Sequence, residues 1–246
     1  MDLHCYDLDV PLDGLASEAR RAVAGWDWSR GAFGHALSLP DYRQLHPSRR
    51  YQYENFPCAG LLGACPLFDR IFQGFECEKV SFRLLRRGPR SSYTWHTDSW
   101  RGPGVVRFQV PIVSDDAAFL VTTDYESVDQ VQGAGSDRLS ADSFDDFART
   151  NAGHFRKHHL EPGRLHYFDT THVHTLVNPG PGERLTLTID LVVNDWVLAR
   201  FPDVRAEIGD GAVQPLPRPG RLRSGLALAR SRLYPLRNRA RRLVAS

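Results

Sequence analysis

The chain has 246 residues, of which 41% are hydrophobic and 24% charged, and its formal net charge is +2. That composition fits a soluble globular protein with a sizeable core and excludes a disordered or collagen-like chain. No run of about 18 apolar residues occurs, which excludes a membrane-spanning helix.

The opening "MDLHCYDLDVPLDGL" carries Asp2, Asp7 and Asp9 and no long apolar run, unlike a secretory signal. Cys5, Cys58, Cys65 and Cys77 match no CxxC zinc spacing. Reduced thiols and a cytoplasmic location are therefore expected. Leu15, Ala19 and Val23 recur at helical spacing before Gly25, so residues 12–25 are expected to form a helix. The Tyr-, Pro- and Arg-rich "PDYRQLHPSRRYQYENFP" reads as irregular, and "CAGLLGACPLFDRIFQGF" as holding a short helix.

From Val80 the pattern becomes β. "KVSFRLLRRG" and "SSYTWHTD" flank a Gly-Pro turn, and "GVVRFQVPIV" alternates. Val106, Phe108, Val110 and Ile112 share one face of that strand, and Arg107, Gln109 and Pro111 the other. "AAFLVTTDYES" follows as a further strand. Residues 127–160 interrupt the pattern with an expected short helix near 141–150, started by Ser140 or Asp142, and a solvated basic loop at "FRKHH". Strands resume at "GRLHYFD", "HVHTLVN" and "ERLTLTIDLVV", the last two joined by the tight turn "NPGPGE". Many short strands with Gly/Pro turns imply a mainly β fold, a cupin-like jelly roll (double-stranded β-helix) with flanking N- and C-terminal helices. The expected organisation is a single jelly-roll domain over residues 1–210, with its core at about 80–195, and a basic helical tail over 211–246.

That tail holds nine arginines from Arg218 onward and no acidic residue. The rest of the chain therefore nets about −7, which is +2 minus 9. Leu222, Leu226, Ala229 and Leu233 fall at helical spacing, and Pro235 should kink or end that helix. Such a helix either packs on the body or meets a membrane surface or an acidic carrier protein. No basic groove interleaved with aromatics accompanies it, so no nucleic-acid partner is expected.

The chemistry concentrates in two clusters. His96 and Asp98 are two apart in an extended run, so an imidazole and a carboxylate aim at one point. His172 and His174 are likewise two apart on a distant strand. One ligand from that second pair would complete a facial triad of two histidines and one carboxylate, which leaves coordination positions open on Fe(II). Zinc more often takes a tetrahedron of histidine and cysteine. Either cluster alone is common by chance; the order of the whole set carries the signal.

Residues 81–195 resemble the aspartyl/asparaginyl β-hydroxylase family of Fe(II)- and 2-oxoglutarate-dependent oxygenases. The motifs concerned are "HTD" at 96–98, "RFQVP" at 107–111, "GRLHYFDTTHVHTLVN" at 163–178 and "RLTLTID" at 184–190. The resemblance implies His96, Asp98 and His174 as catalytic iron ligands, with His174 in the family's position rather than His172. It implies Arg184 on the distal carboxylate of 2-oxoglutarate, and Arg107 helping to hold a carboxylate of cosubstrate or substrate. Gln109 stands where the family has a histidine; it can still donate to a carboxylate but carries no charge. The implied reaction consumes O2 and 2-oxoglutarate, releases succinate and carbon dioxide, and hydroxylates an unactivated C–H. The implied substrate is a small molecule, a peptide or a carrier-linked group of amino-acid type. Retention of Asp98 favours hydroxylation, or another oxidation, over halogenation.

Around this set, Tyr93, Trp95 and Trp100 either shape a substrate pocket or belong to the core. Ser81 and Arg83 are weaker cosubstrate candidates, and His166 and His172 could orient ligands. Arg86, Arg87, Arg90 and Arg107 would suit an anionic substrate. Two rival readings keep the barrel: a non-catalytic cupin-like protein that binds a small ligand, and a metal-dependent isomerase or hydrolase.

Overall fold

The structure is a computed structural model that describes residues 2–26, 35–40, 58–98, 104–133 and 153–208. The irregular segment 41–57, Trp100, the helix expected near 141–150 and the tail over 211–246 lie outside the described residues.

Two short strands and two helices precede the β-rich part of the chain. They are β1 (His4–Tyr6), α1 (Leu12–Val23), β2 (Ala36–Ser38) and α2 (Pro66–Gly74). Gly25, at φ 74°, takes the left-handed conformation that ends α1. Glu18, buried on α1, accepts from Leu67 N and Phe68 N and so satisfies donors in the first turn of α2. Eight strands follow: β3 (Lys79–Arg87), β4 (Ser91–Ser92), β5 (Val105–Val113), β6 (Phe119–Thr123), β7 (Phe155–His159), β8 (Leu165–Tyr167), β9 (His174–Asn178) and β10 (Arg184–Val192). The helix α3 (Val128–Gly133) sits between β6 and β7. The helices α4 (Asp195–Arg200) and α5 (Pro202–Ile208) follow β10. Asn194 caps α4, its Oδ1 accepting from Val197 N at 3.0 Å.

Two antiparallel sheets result, in the orders β1-β8-β5-β10-β3-β2 and β4-β9-β6-β7. From β3 to β10 the chain passes back and forth between them in the alternation of a double-stranded β-helix, so the protein is a mainly β jelly roll of cupin-like type. β1 and β2 extend the larger sheet at its two edges.

The large sheet has two unlike faces, because side chains alternate along a strand. On β10, Leu185, Leu187, Ile189 and Leu191 point to the apolar side. There they join Phe82, Leu84, Phe108 and Val110 from the neighbouring strands, and Leu15, Phe68, Ile71, Val197 and Val204 from the helices. Full burial of each such side chain contributes about 1.5–3 kcal/mol. The other face of β10 carries Arg184, Thr186, Thr188 and Asp190, all buried. Its register sets Thr188 between Arg83 and Gln109, and Asp190 between Ser81 and Arg107. Ser38 and His166 continue the Thr188 row at either end. A strip of buried polar residues therefore crosses the sheet on the side that faces β9.

Two local expectations are corrected. Residues 155–159 are not a loop but β7, an edge strand paired with β6 from Phe119↔His159 to Thr123↔Phe155. An edge strand with one solvent face tolerates the polar run "FRKHH", which hides the usual strand alternation. Second, the strand expected at "HVHTLVN" begins only at His174. Asp169 Oδ1 accepts from Thr171 N at 2.9 Å and from Thr171 Oγ1 at 2.8 Å, and this side-chain-stabilised turn occupies the preceding residues. His172 therefore lies in a bend, exposed, and does not share a strand face with His174.

Candidate metal centre

His96 and His174 meet as an isolated antiparallel bridge. His96 N donates to His174 O at 3.1 Å, and His174 N donates to His96 O at 2.9 Å. Asp98 is anchored one step further along, its N donating to Thr170 O at 2.8 Å. These backbone bonds bring His96, Asp98 and His174 together, with one donor atom from each lying within 4.8 Å of the others. His174 Nε2 is 3.9 Å from Asp98 Oδ2, and the two imidazole centroids are 4.2 Å apart.

The imidazoles are already oriented. His96 Nδ1 lies 2.9 Å from Thr94 O, and His174 Nδ1 lies 2.8 Å from His172 O. A carbonyl oxygen only accepts, so each Nδ1 carries the proton and each Nε2 keeps its lone pair for a metal. Burial, opposed in part by Asp98, holds the His96 pKa below the usual histidine range. Burial and the neighbouring His96 push His174 down to about 3. Both rings are thus neutral near pH 7, the form that ligates.

Metal bonds of about 2.1 Å at right angles would put donors about 3 Å apart. Asp98 and His174 need to close by only about 1 Å to reach that separation from their 3.9 Å. Two imidazoles and one carboxylate on one side of an ion match the facial triad of non-haem iron. The donor set fits ferrous iron, with His96, Asp98 and His174 as the holding residues.

Arg107 and Asp190 support the triad. Arg107 Nη1 donates to Asp98 Oδ2 at 2.6 Å, while its Nε and Nη2 donate to Asp190 Oδ1 and Oδ2 at 2.6 and 2.9 Å. Burial alone would lower the Arg107 pKa; the carboxylates of Asp190 and Asp98 more than reverse this, so the guanidinium stays firmly charged. Arg107, expected on a carboxylate of cosubstrate or substrate, instead grips two carboxylates of the chain itself. Asp190 is the functional residue that the sequence reading passed over. Its parity with Arg184 in the alternating run 184–190 was the available signal.

Arg184 is 1% exposed, and none of its Nε, Nη1 and Nη2 atoms has a hydrogen-bond partner. Burial and the nearby Arg87 lower its pKa to about 10. A buried guanidinium without partners is costly, and a carboxylate is the ligand that its fork of donors matches. Gln109, opposite Thr188 on the polar strip, is also buried, with Oε1 likewise without a partner.

The remaining candidates divide. Arg83 donates to Ser81 Oγ at 3.0 Å and lies 3.9 Å from Asp190, so both sit within the strip. Tyr93 stands edge-on to His96 with centroids 4.7 Å apart. Trp95 packs with Val121, Val131, Val173 and Val177 in a separate apolar cluster, which makes it a core residue. His166 is buried with Nε2 on Glu161 O at 2.9 Å, and His172 lies 3.6 Å from Asp169. Among the described residues, Cys5, Cys58, Cys65 and Cys77 form no disulfide. No helix among the described residues is long and apolar enough to cross a membrane.

No family model matches the chain. No curated protein sequence matches it either. Among solved structures it is similar to HygX from Streptomyces hygroscopicus with nickel and 2-oxoglutarate bound, at TM-score 0.48 and 11% identity over 78% of this chain and 83% of that one. It is also similar to a prolyl-4-hydroxylase from Pseudomonas putida, at TM-score 0.38 and 18% identity over 78% and 88% of the two chains. A cupin domain from Bordetella pertussis is similar at TM-score 0.29 and 14% identity, over 49% of this chain and 88% of that one. At these identities function has to be read from the chain's own residues.

Proposed function

We propose that the protein is an Fe(II)- and 2-oxoglutarate-dependent oxygenase of the aspartyl/asparaginyl β-hydroxylase type, which hydroxylates an unactivated C–H of an amino-acid-like, peptide or carrier-linked substrate. The observation that carries this reading is the placement of two features on the inner face of one barrel. The preoriented His96–Asp98–His174 triad converges three donor atoms, and the buried Arg184 guanidinium has no hydrogen-bond partner among the described residues. A non-catalytic binding pocket has no need of a facial triad. A hydrolase has no need of a deep arginine without a counter-ion.

When bound, ferrous iron with 2-oxoglutarate supplies oxidative power by decarboxylating the keto acid to succinate and carbon dioxide at the expense of O2. The chain's residues do the rest. His96 and His174 present Nε2 lone pairs, held in place by Thr94 O and His172 O. Asp98 supplies the anionic ligand, and Arg107 fixes one of its oxygens. Arg184 would receive the distal carboxylate of the cosubstrate. The Phe168 ring, packed with Leu120, Leu160 and Leu176, stands edge-on to His174 at 5.2 Å.

The test is substrate-coupled turnover. Purified protein with Fe(II), ascorbate and 2-oxoglutarate should form succinate in an oxygen-dependent manner, and His96→Ala or Asp98→Ala should abolish it. Full succinate formation by either variant would overturn the metal assignment. Zinc in the isolated protein together with oxygen-independent activity would favour the hydrolase or isomerase.

A further inference from the structure

We propose that Arg87 is an anion-binding subsite for the substrate, so that the molecule oxidised carries a carboxylate or phosphate group. This rests on the oxygenase reading for the position of the reacting carbon.

Arg87 is the last residue of β3 and stands directly opposite Arg184 in the β3–β10 ladder. Paired residues of an antiparallel ladder point to the same face, so two guanidiniums lie side by side at one end of the polar strip. Among the described residues, no ion pair joins either to a carboxylate. The adjacent Arg86, on the opposite face, provides a contrast: its Nε is matched by Glu183 Oε2 at 2.9 Å. The arginine that turns away from the barrel interior has its counter-ion, and the one that turns inward does not.

The contacts of Arg87 are with Tyr93. Its guanidinium carbon lies 4.0 Å from the centroid of that ring. A ring against one face of a guanidinium holds it flat and leaves in-plane N–H donors for a planar anion. Tyr93 in turn stands edge-on to His96. Arg87 is therefore one aromatic ring away from a metal ligand. Arg184 is almost wholly buried, whereas Arg87 is half-buried, and this separates their roles. The deep guanidinium suits a cosubstrate that enters first, and the shallower one a substrate that arrives over it.

Charge balance points the same way. The buried charged residues on the inner strip and the triad are Arg83, Arg107 and Arg184 against Asp98 and Asp190, a surplus of one positive charge. Arg87 raises the surplus to two. A divalent ion and a dianionic 2-oxoglutarate cancel each other, so the surplus remains for the substrate to offset.

The test uses the full chain loaded with Ni(II), which holds the site without turnover, and saturated with 2-oxoglutarate. Inorganic phosphate and N-acetylglycine are titrated separately by calorimetry at constant ionic strength, into the wild type, Arg87→Gln, Arg87→Lys and Arg86→Gln. Saturable binding of at least one anion to the wild type is expected, and the preferred anion distinguishes phosphate from carboxylate chemistry. Arg87→Gln should weaken that binding tenfold or more, Arg87→Lys severalfold and Arg86→Gln less than twofold. The 2-oxoglutarate affinity of Arg87→Gln should stay within twofold of the wild type. If Arg87→Gln does not fold, Arg87→Lys carries the comparison. Three results would each overturn the proposal: no saturable anion binding by the wild type, probe affinity unchanged in the Arg87 variants, or a tenfold loss of 2-oxoglutarate affinity in Arg87→Gln. Failure of the Ni(II)-loaded wild type to bind 2-oxoglutarate would overturn the oxygenase reading instead, and is measured before either probe is added.

Discussion

Removing the Asp190 carboxylate tests whether a single buried acid holds the metal centre in shape. Asp190 is fully buried and engages Arg107 through two bonds, of 2.6 and 2.9 Å. Arg107 is buried as well and also donates to Asp98 at 2.6 Å. Asp190→Ala therefore leaves a buried cation with one of its two carboxylates and opens a small void beside it. Breaking a buried pair from one side costs about 3–5 kcal/mol. For a domain of this size each kcal/mol lowers the melting temperature by about 2–4 °C, so a fall of about 6–20 °C is expected in thermal unfolding followed by circular dichroism. Asp190→Asn keeps one acceptor and should fall between the two. The metal readout is separate. Released from Asp190, Arg107 competes harder for Asp98, and loss of such a supporting contact typically weakens metal binding about 10–100-fold. Calorimetric titration with Ni(II) would measure it. An Asp190→Ala protein that melts within about 3 °C of the wild type and binds Ni(II) with unchanged affinity would refute the chain of support from Asp190 through Arg107 to Asp98.

Arg184→Met should make the protein without cosubstrate more stable, because it replaces an unpartnered buried guanidinium by an apolar chain of similar length. The same substitution should abolish the melting shift produced by 2-oxoglutarate with Ni(II), which at a hundredfold excess over Kd corresponds to about 2.7 kcal/mol in the wild type. Lower stability with the ligand-induced shift retained would contradict the role given to Arg184. His166 is buried and its pKa is depressed, chiefly by that burial. The unfolded chain then binds more protons than the folded one below the unfolded histidine pKa of about 6.5. Stability should fall as pH drops below that value, and His166→Asn should flatten the slope of melting temperature between pH 7.5 and 5. Asn178→Leu removes the bonds from Nδ2 to Gly88 O and Gly182 O, at 2.8 and 2.9 Å. Leaving two carbonyls without their donor should cost about 1–3 kcal/mol each where they are buried, read as a lower urea midpoint.

The fold was legible where strands alternate cleanly. β5 and β10 show it plainly, since every second residue is apolar and the two faces of the large sheet follow from parity alone. β7 was not legible, because an edge strand with a wet face can be built from Arg156, Lys157, His158 and His159 without violating any packing demand. The early end of the expected strand at His172 was missed for a different reason. The Asp169–Thr171 turn depends on a side-chain hydrogen bond, which competes with extended structure and leaves no trace in hydrophobic periodicity. In the site, proximity of His96 to Asp98 could be read from spacing, but the approach of His174 required the two sheets to face each other. Arg107 could be placed on the inner face by parity. Its partners could not, because spacing does not say whether an inward cation meets a ligand or another part of the chain.

The division of labour between the two faces of β10 explains how the site is tolerated. Four consecutive inward residues of that strand, Arg184, Thr186, Thr188 and Asp190, are buried and polar, an arrangement that weakens a sheet used only for packing. Their outward neighbours Leu185, Leu187, Ile189 and Leu191 are fully buried against the helices, and β10 lies hydrogen-bonded between β3 and β5 along nearly its whole length. The strand that carries the deeply buried, unpartnered Arg184 is thus held by hydrogen bonds on both sides. A guanidinium without a counter-ion on an edge strand would be relieved by local opening to water; at the centre of the larger sheet, a bound anion would supply that relief.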